Sequence, residues 1–245
     1  MVQSGATEGA TLVALERMAR AWSREAGAGG VAHYFNNVLA YLVGSLELVG
    51  DYELEGEARE YLDRMQARVG EVSQMIRALQ QFATQEPPEH LEDMELGELV
   101  EEVLELTRPV WDTVMQAGGR QLEVEHVRRA DCRVRANRRD LREALINVLF
   151  NAIEAMPSGG RIRLTEGAER IWAYIEVTDT GEGMNEEVLK RAREPFYTTR
   201  QRQRQGLGLS VASGILRRHG GEVQINSKPK RGTTVRLSLL AAVGE

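Results

Sequence analysis

The sequence predicts an α+β protein in two parts: an N-terminal helical hairpin that forms a dimeric four-helix bundle, followed by an α/β sandwich. Three observations lead there. Residues from about 8 to 85 contain no proline and repeat apolar side chains at helical spacings. "QEPPEH" (85–90) then breaks the run, because Pro87 and Pro88 cannot continue a helix. Beyond it, helical segments alternate with strand-like ones, as expected of a mixed sheet covered on one face by helices. These bounds place a helical domain at 1–86, a linker at 87–93 and a second domain at 94–245.

The first helix carries a loose apolar seam through Val31, Phe35, Val38, Leu42, Leu46 and Val49. "GDYELEG" (50–56) has the glycines and charges of a tight helix–helix turn. In the second helix Ala58, Leu62, Met65, Val69, Val72, Ile76, Leu79 and Ala83 recur at alternating spacings of four and three, a packing seam. Two helices alone leave part of such stripes uncovered, and pairing of two chains into four helices covers them. In the second part, 96–116 and 138–156 read as helices, and "QLEVEHV" (121–127) alternates like a strand. "GRIRLT" and "IWAYIEVTD" are strands, with Gly167 and Ala168 near the turn between them. A helix over 207–219 precedes two more strands, "GEVQINS" and "TTVRLSLL".

Composition narrows the functional classes. The 245 residues are 42% hydrophobic and 28% charged, ordinary for a globular protein. A formal net charge of −6 argues against general nucleic-acid binding. The single Cys132 excludes an internal disulfide and fits a reducing compartment. No apolar run approaches the roughly 20 residues of a membrane span, and the N-terminus lacks a secretion-signal pattern. The expectation is a cytoplasmic chain with no membrane segment.

Chemistry-bearing residues cluster in five places. In "GGVAHYFNNVL" (29–39), His33 lies opposite the arc of Val31, Phe35, Val38 and Leu42 at about 100° per residue, so packing does not account for its imidazole. Asn37 follows one turn later on the same face. "NVLFNAIEAM" (147–156) sets Asn147 and Asn151 at i, i+4, two neutral amide oxygens that suit a hard cation such as Mg2+. "DTGEGM" (179–184) ends an apolar strand. There Asp179 can accept from an exocyclic amine, and Gly181 and Gly183 let backbone approach a ring. "EPFYTTR" (194–200) and "QRQRQGLGLS" (201–210) join a polar segment bearing Arg200, Arg202 and Arg204 to Gly206, Leu207 and Gly208 at a helix start, a phosphate cradle. "RGTTVRL" (231–237) adds a glycine turn into a strand and brings Thr233 to the group.

With those motifs in this order, the chain resembles the bacterial two-component sensor histidine kinases over nearly all of its length beyond about residue 20. "VAHYFNN" is similar to their phospho-acceptor box, "NVLFNAIEAM" to the N box, "DTGEGM" and "GLGL" to the two glycine boxes, and "EPFYTTR" to the F box. The resemblance implies a dimerisation and histidine-phosphotransfer domain followed by a Bergerat-type ATP-binding domain. It implies that ATP and Mg2+ are bound, and that a response regulator receiver domain is the partner. It implies that His33 is the phosphoryl-accepting nucleophile and that Asn151 ligates Mg2+ with Asn147 beside it. Asp179 would read the adenine amine, and Gly181, Gly183, Gly206 and Gly208 would shape the pocket and its lid. Phe196 would anchor the mobile segment, and Asn37 would orient water for dephosphorylating the partner. Hydrolytic relatives carry a water-activating glutamate where this chain has Asn147, which favours transfer to an imidazole over transfer to water.

Two positions depart from that pattern. Tyr34 stands where an acid usually follows the histidine, and with an ordinary pKa of about 10 it is a poor base near neutrality. Slow autophosphorylation is expected, with a phosphatase-leaning or nucleotide-gated scaffold protein as the alternative. Arg204-Gln205 replaces the usual Gly-Thr, which removes one hinge glycine and adds a cation near the phosphates.

Overall fold

A computed structural model describes residues 40–50, 52, 54–83, 88–117, 121–195, 197–199 and 206–242. It divides into two compact units, Met1–Gln85 and Glu86–Glu245.

In the first unit a helix over 40–50 (α1) and the helix Glu57–Ala83 (α2) are joined through a turn in which Gly56 takes φ +59°. Glu57 and Glu60 lie in the first turn of α2, where they complement the positive helix end. Arg59–Asp63 and Arg64–Glu60 pairs at i, i+4 line its wet side. The helices meet where Leu46 and Leu62 are buried and where the Gln66 amide donates to the Leu46 carbonyl at 3.4 Å. Other seam residues stay open: Leu42 is 41% exposed, Val49 44%, Met65 56% and Val72 44%. One hairpin therefore fills only part of its own seam.

The second unit runs β1 (Glu92–Glu95), α3 (Leu96–Ala117), β2 (Leu122–Arg128), β3 (Arg133–Ala136), α4 (Arg138–Glu154), β4 (Gly160–Glu169), β5 (Trp172–Asp179), α5 (Glu186–Arg191), α6 (Gly208–Arg218), β6 (Glu222–Ser227) and β7 (Thr233–Leu240). Five strands form one sheet in the order β2-β4-β5-β7-β6, antiparallel except for the parallel β2/β4 pair. β1 and β3 form a separate antiparallel ribbon, which touches the end of β7 through a Val134–Ala241 bridge. Alternation sorts the strands' side chains. Ile162, Leu164, Ile175, Val177, Leu237 and Leu239 face inward and are buried, with Leu145, Leu149, Ile215 and Leu216 from α4 and α6. The layers converge on a small void lined by Leu96, Leu99, Leu141, Ile175, Leu216, Leu237 and Leu239. The opposite sheet face covers itself with cross-strand pairs: Arg161–Glu123 at 2.9 Å, Arg163–Glu125 at 2.8 Å and Arg236–Glu176 at 3.0 Å. Arg236 also stacks over the Tyr174 ring at 4.1 Å. Among the described residues no helix is long and apolar enough to cross a membrane.

Among the described residues the α+β architecture follows the sequence expectation, and so do the main helices and strands to within a few residues; the part of the first helix that carries Val31, Phe35 and Val38 lies outside them. One turn is corrected. β4 continues through Gly167 and Ala168, which pair with Tyr174 and Ala173, and the chain reverses at Arg170, φ +58°. Gly167 belongs inside the strand because the Tyr174 ring crosses it: a Cβ there would lie 2.6 Å from the phenol oxygen. Three elements were not anticipated. β1 ("EDME") begins at Glu92, inside the stretch read as linker, and β3 ("RVRA") and α5 are too short to show a clear period.

Candidate functional site

α4 positions the first site residue. Asn137 caps the helix, its side-chain oxygen accepting from the Asp140 N–H at 3.1 Å. Leu141, Ala144, Leu145, Val148, Leu149, Ala152 and Ile153 bury one side of the helix and leave Asn147 and Asn151 half-buried on its rim. The two asparagines behave differently. The Asn147 amide donates to the Glu143 carbonyl of its own helix at 2.9 Å. The Asn151 amide instead lies against the start of α6, where a Cβ on Gly208 would come within 2.8 Å of Nδ2 and 3.2 Å of Oδ1.

α6 begins without a side-chain cap at Leu207, after Gly206 at φ +68°. Its first helical hydrogen bond runs from the Val211 N–H to the Leu207 carbonyl. The N–H groups of Gly208, Leu209 and Ser210 therefore have no partner within the helix, and they sit at its positive end beside Asn151. The far end of α6 is tied to the start of α4. The buried His219 ring donates from Nδ1 to the Ile215 carbonyl at 2.9 Å and accepts the Asn137 N–H at Nε2, 3.1 Å. Burial pushes the His219 pKa below its ordinary value, against an opposing pull from the Ile215 bond and Asp140. Arg218 adds an ion pair to Asp140 at 2.9 Å. Asn151 and Gly208 are thus carried on two helices locked together at their other ends.

Asp179 ends β5 and is buried. Its Oδ1 accepts from the Gly181 N–H at 2.8 Å and from the Thr233 N–H at 3.1 Å. The β5/β7 register makes the second bond possible, since Thr178 pairs with Thr234 and so sets Asp179 beside Thr233. Glycine is needed on both sides of this carboxylate. A Cβ on Gly181 would overlap the Ala155 carbonyl at the end of α4. Gly183 is at φ +63° against the Lys228 carbonyl, and Gly232 is at φ +80° against the Asp179 carbonyl. Backbone bonds from Glu182 N–H to Ala155 (3.0 Å) and from Lys230 N–H to Glu182 (2.6 Å) clamp the 179–184 loop between α4 and the β6–β7 turn. Ala155 follows Asn151 by one helical turn, about 6 Å along the axis.

The fold therefore brings Asn151, Asp179, Gly181, Gly183, Leu207, Gly208, Thr233 and Gly206 to one end of the sheet. Asn147 is nearby but bonded back to its helix. His33, Asn37, Phe196, Arg200 and Arg204 lie outside the described residues, as does Tyr34. Sequence reasoning passed over Ala155, which nothing local marks, whereas the glycine turn of "RGTT" signalled Gly232. The chemistry present is one buried carboxylate acceptor, one neutral amide, a helix end rich in N–H donors, and backbone closely approached at glycines. Among the described residues no group of three or more His, Cys, Asp or Glu is placed to hold a metal ion. The donor set fits a purine nucleotide that brings its own hard cation on phosphate oxygens.

Residues 136–243 match the family described as histidine kinase-, DNA gyrase B- and HSP90-like ATPase. Sporulation kinase A of Bacillus subtilis (strain 168) is 28% identical over 211 residues, covering 86% of this chain and 34% of that protein. The chain thus spans about one third of that relative's length. Full-length ShkA, solved in complex with AMPPNP, superposes with a TM-score of 0.74 at 22% identity, over 89% of this chain and 46% of that one. Histidine kinase ThkA, solved in complex with the response regulator protein TrrA, gives 0.59 at 21% identity, over 86% of this chain and 60% of that one. Both structures share the fold.

Proposed function

We propose, from the premise that residues 136–243 are a domain of the histidine kinase-, DNA gyrase B- and HSP90-like ATPase family and that the chain's relatives are histidine kinases, that this protein phosphorylates His33 from ATP and passes the phosphoryl group to an aspartate of a response regulator. The observation that carries the reading is the Asp179 carboxylate, buried and held by two backbone N–H groups in a glycine-walled loop. An acceptor so fixed reads an amine by direction. The ThkA–TrrA complex supports a receiver domain as the partner, and the AMPPNP-bound ShkA supports an adenine nucleotide.

The proposed mechanism is one of alignment. Asp179 accepts from the adenine amine. Asn151 would offer its amide oxygen to Mg2+, and that ion would supply charge neutralisation on the triphosphate. The N–H groups at the start of α6 and the Arg204 guanidinium hold the phosphate oxygens. The ring nitrogen of His33 attacks the γ-phosphorus; the N–P bond forms as the bond to the β-phosphate oxygen breaks and ADP leaves. The phosphoryl group then passes to the regulator's carboxylate, the new O–P bond forming as the N–P bond breaks and the His33 imidazole is released. With Asn147 in place of a basic glutamate, no side chain at that position activates water. Tyr34 makes the first step slow, and Asn37 remains to orient water when the regulator is dephosphorylated. The open seam residues Leu42, Val49, Met65 and Val72 support pairing of two hairpins into a four-helix homodimer. A cytoplasmic site fits an enzyme that draws on ATP.

The test is incubation with γ-labelled ATP and Mg2+, wild type against His33→Ala. Acid-labile label that disappears in the variant is expected. Tight ATP binding with no label on wild type would refute kinase action and leave the phosphatase or scaffold alternative.

A further inference from the structure

We propose that Asn137 is a latch that couples the chain entering β1, at Glu89 and His90, to occupancy of the nucleotide site. This role rests on the nucleotide reading above. The β1/β3 register sets Glu92 opposite Ala136, so the next residue, Asn137, stands beside the incoming chain. Its side-chain Nδ2 donates to the Glu89 carbonyl at 2.9 Å. Its Oδ1 caps α4 by accepting from the Asp140 N–H, and its backbone N–H donates to Nε2 of the buried His219 at the end of α6. One residue thus ties the incoming chain to the two helices that carry Asn151 and Gly208.

The three bonds differ in strength. Glu89 and His90 are exposed, Pro88 has no N–H to offer, and among the described residues Asn137 supplies the one hydrogen bond to residues 88–90. His90 stands at φ +57°, a left-handed conformation that costs an L residue free energy. That cost and the net worth of one exposed hydrogen bond are of the same order, so the segment is held by a narrow margin. The bonds to Asp140 and His219 are half-buried, and opening at Glu89 leaves α4 and α6 joined. Both helices are rigid and meet at this joint. A nucleotide gripped by Asn151 and by the first N–H groups of α6 fixes one helix against the other, and so fixes the amide that Asn137 offers to Glu89. Nucleotide therefore favours the closed latch, and by linkage the closed latch favours nucleotide.

The experiment is native-state cleavage of the full chain by a Glu-specific endoproteinase, with fragments identified by mass. Cleavage after Glu89 attacks the carbonyl that Asn137 holds, so its rate follows the open population. The exposed Glu169–Arg170 turn is the internal control. Asn137→Asp keeps the helix cap and the backbone N–H but has no side-chain donor for Glu89. It is expected to speed cleavage after Glu89 at least about threefold and to leave cleavage after Glu169 unchanged. AMPPNP with Mg2+ is expected to slow cleavage after Glu89 at least about threefold in wild type and by less in the variant. If Asn137→Asp fails to fold, Asn137→Ser, a cap too short to reach Glu89, is expected to behave alike. A smaller rise after Glu89, an equal rise after Glu169, or AMPPNP that binds wild type yet slows both proteins alike or neither overturns the latch and leaves the nucleotide site intact. Failure of wild type to bind AMPPNP overturns the nucleotide reading and the coupling together.

Discussion

Gly208→Ala separates the stability of α6 from its proposed role beside the metal ligand. Position 208 is not among the positive-φ glycines, so an alanine is accommodated by the backbone. As the first helical residue it gains helix propensity, at most about 1 kcal/mol. The added Cβ would sit 2.8 Å from Asn151 Nδ2, where ordinary contact begins at 3.4 Å; the difference, 0.6 Å, is the least the amide must move. Moving a side-chain end is cheap for folding, so the unfolding temperature is expected to stay within about 4 °C of wild type. It is not cheap for Mg2+, whose octahedral shell tolerates little displacement at ligand distances of about 2.0–2.1 Å. Displacing a supporting group typically costs about 10–100-fold in metal affinity or activity. The assay is a Mg2+ titration of label transfer from ATP, alongside nucleotide binding in EDTA and thermal unfolding. A Mg2+ midpoint raised at least about tenfold, with metal-free binding and folding preserved, is expected. An unchanged midpoint would refute the placement of Asn151 at the metal, and a large loss of folding would refute the separation of the two effects.

Four further outcomes are expected. Gly183→Ala, at φ +63° and against the Lys228 carbonyl, has neither backbone nor space for a side chain; a loss of several kcal/mol in urea unfolding, of the order of 2–4, is expected. Glu166 is fully buried, 2.5 Å from His126 Nε2, with its Oε1 3.1 Å from Arg128 Nε but off-line for a hydrogen bond. Because Arg128 also holds Glu95 and Glu101, Glu166→Gln should lose about 2–3 kcal/mol, below the usual range for a broken buried pair, whereas Glu123→Gln on the open sheet face loses under about 1; equal losses in chemical denaturation would contradict this. The lowered pKa of buried His219 means that the folded state binds fewer protons than the unfolded one. Stability is therefore full above the unfolded value of about 6.5 and falls as pH drops below it, and His219→Gln should flatten that part of the stability profile between pH 7 and 5.5. Tyr34→Glu should raise autophosphorylation by at least about tenfold, since a positioned base contributes 10²–10⁴; a rate no higher than wild type would show that Tyr34 is not the brake.

Legibility in the sequence depended on how local each signal was. Asn151 was visible because a four-residue spacing and an apolar far side define a helix rim without any partner. Asp179, Gly181 and Gly183 were visible because a polar, glycine-rich stretch after an apolar strand reads the same in any fold. Gly208 at a helix start is local too. β1 and β3 left no such trace. Four residues, mostly acidic in one and alternating with arginine in the other, carry too little period, and they become strands by pairing with each other across α3 and β2. Gly167 misled for a related reason: glycine reads as a turn until the Tyr174 ring that crosses it is known.

The sequence by itself determined the two-part α+β plan, the order of the helices and of the principal strands, and the residue types proposed for phosphoryl chemistry. These follow from periodicity and from short-range covalent geometry. The tertiary structure alone decided which asparagine meets α6 and that Asp179 is held by Thr233 from the neighbouring strand. Those contacts join residues dozens of positions apart, or pick one of two equivalent side chains on a helix. Strand register and helix packing set them, and neither is written in any single stretch of chain.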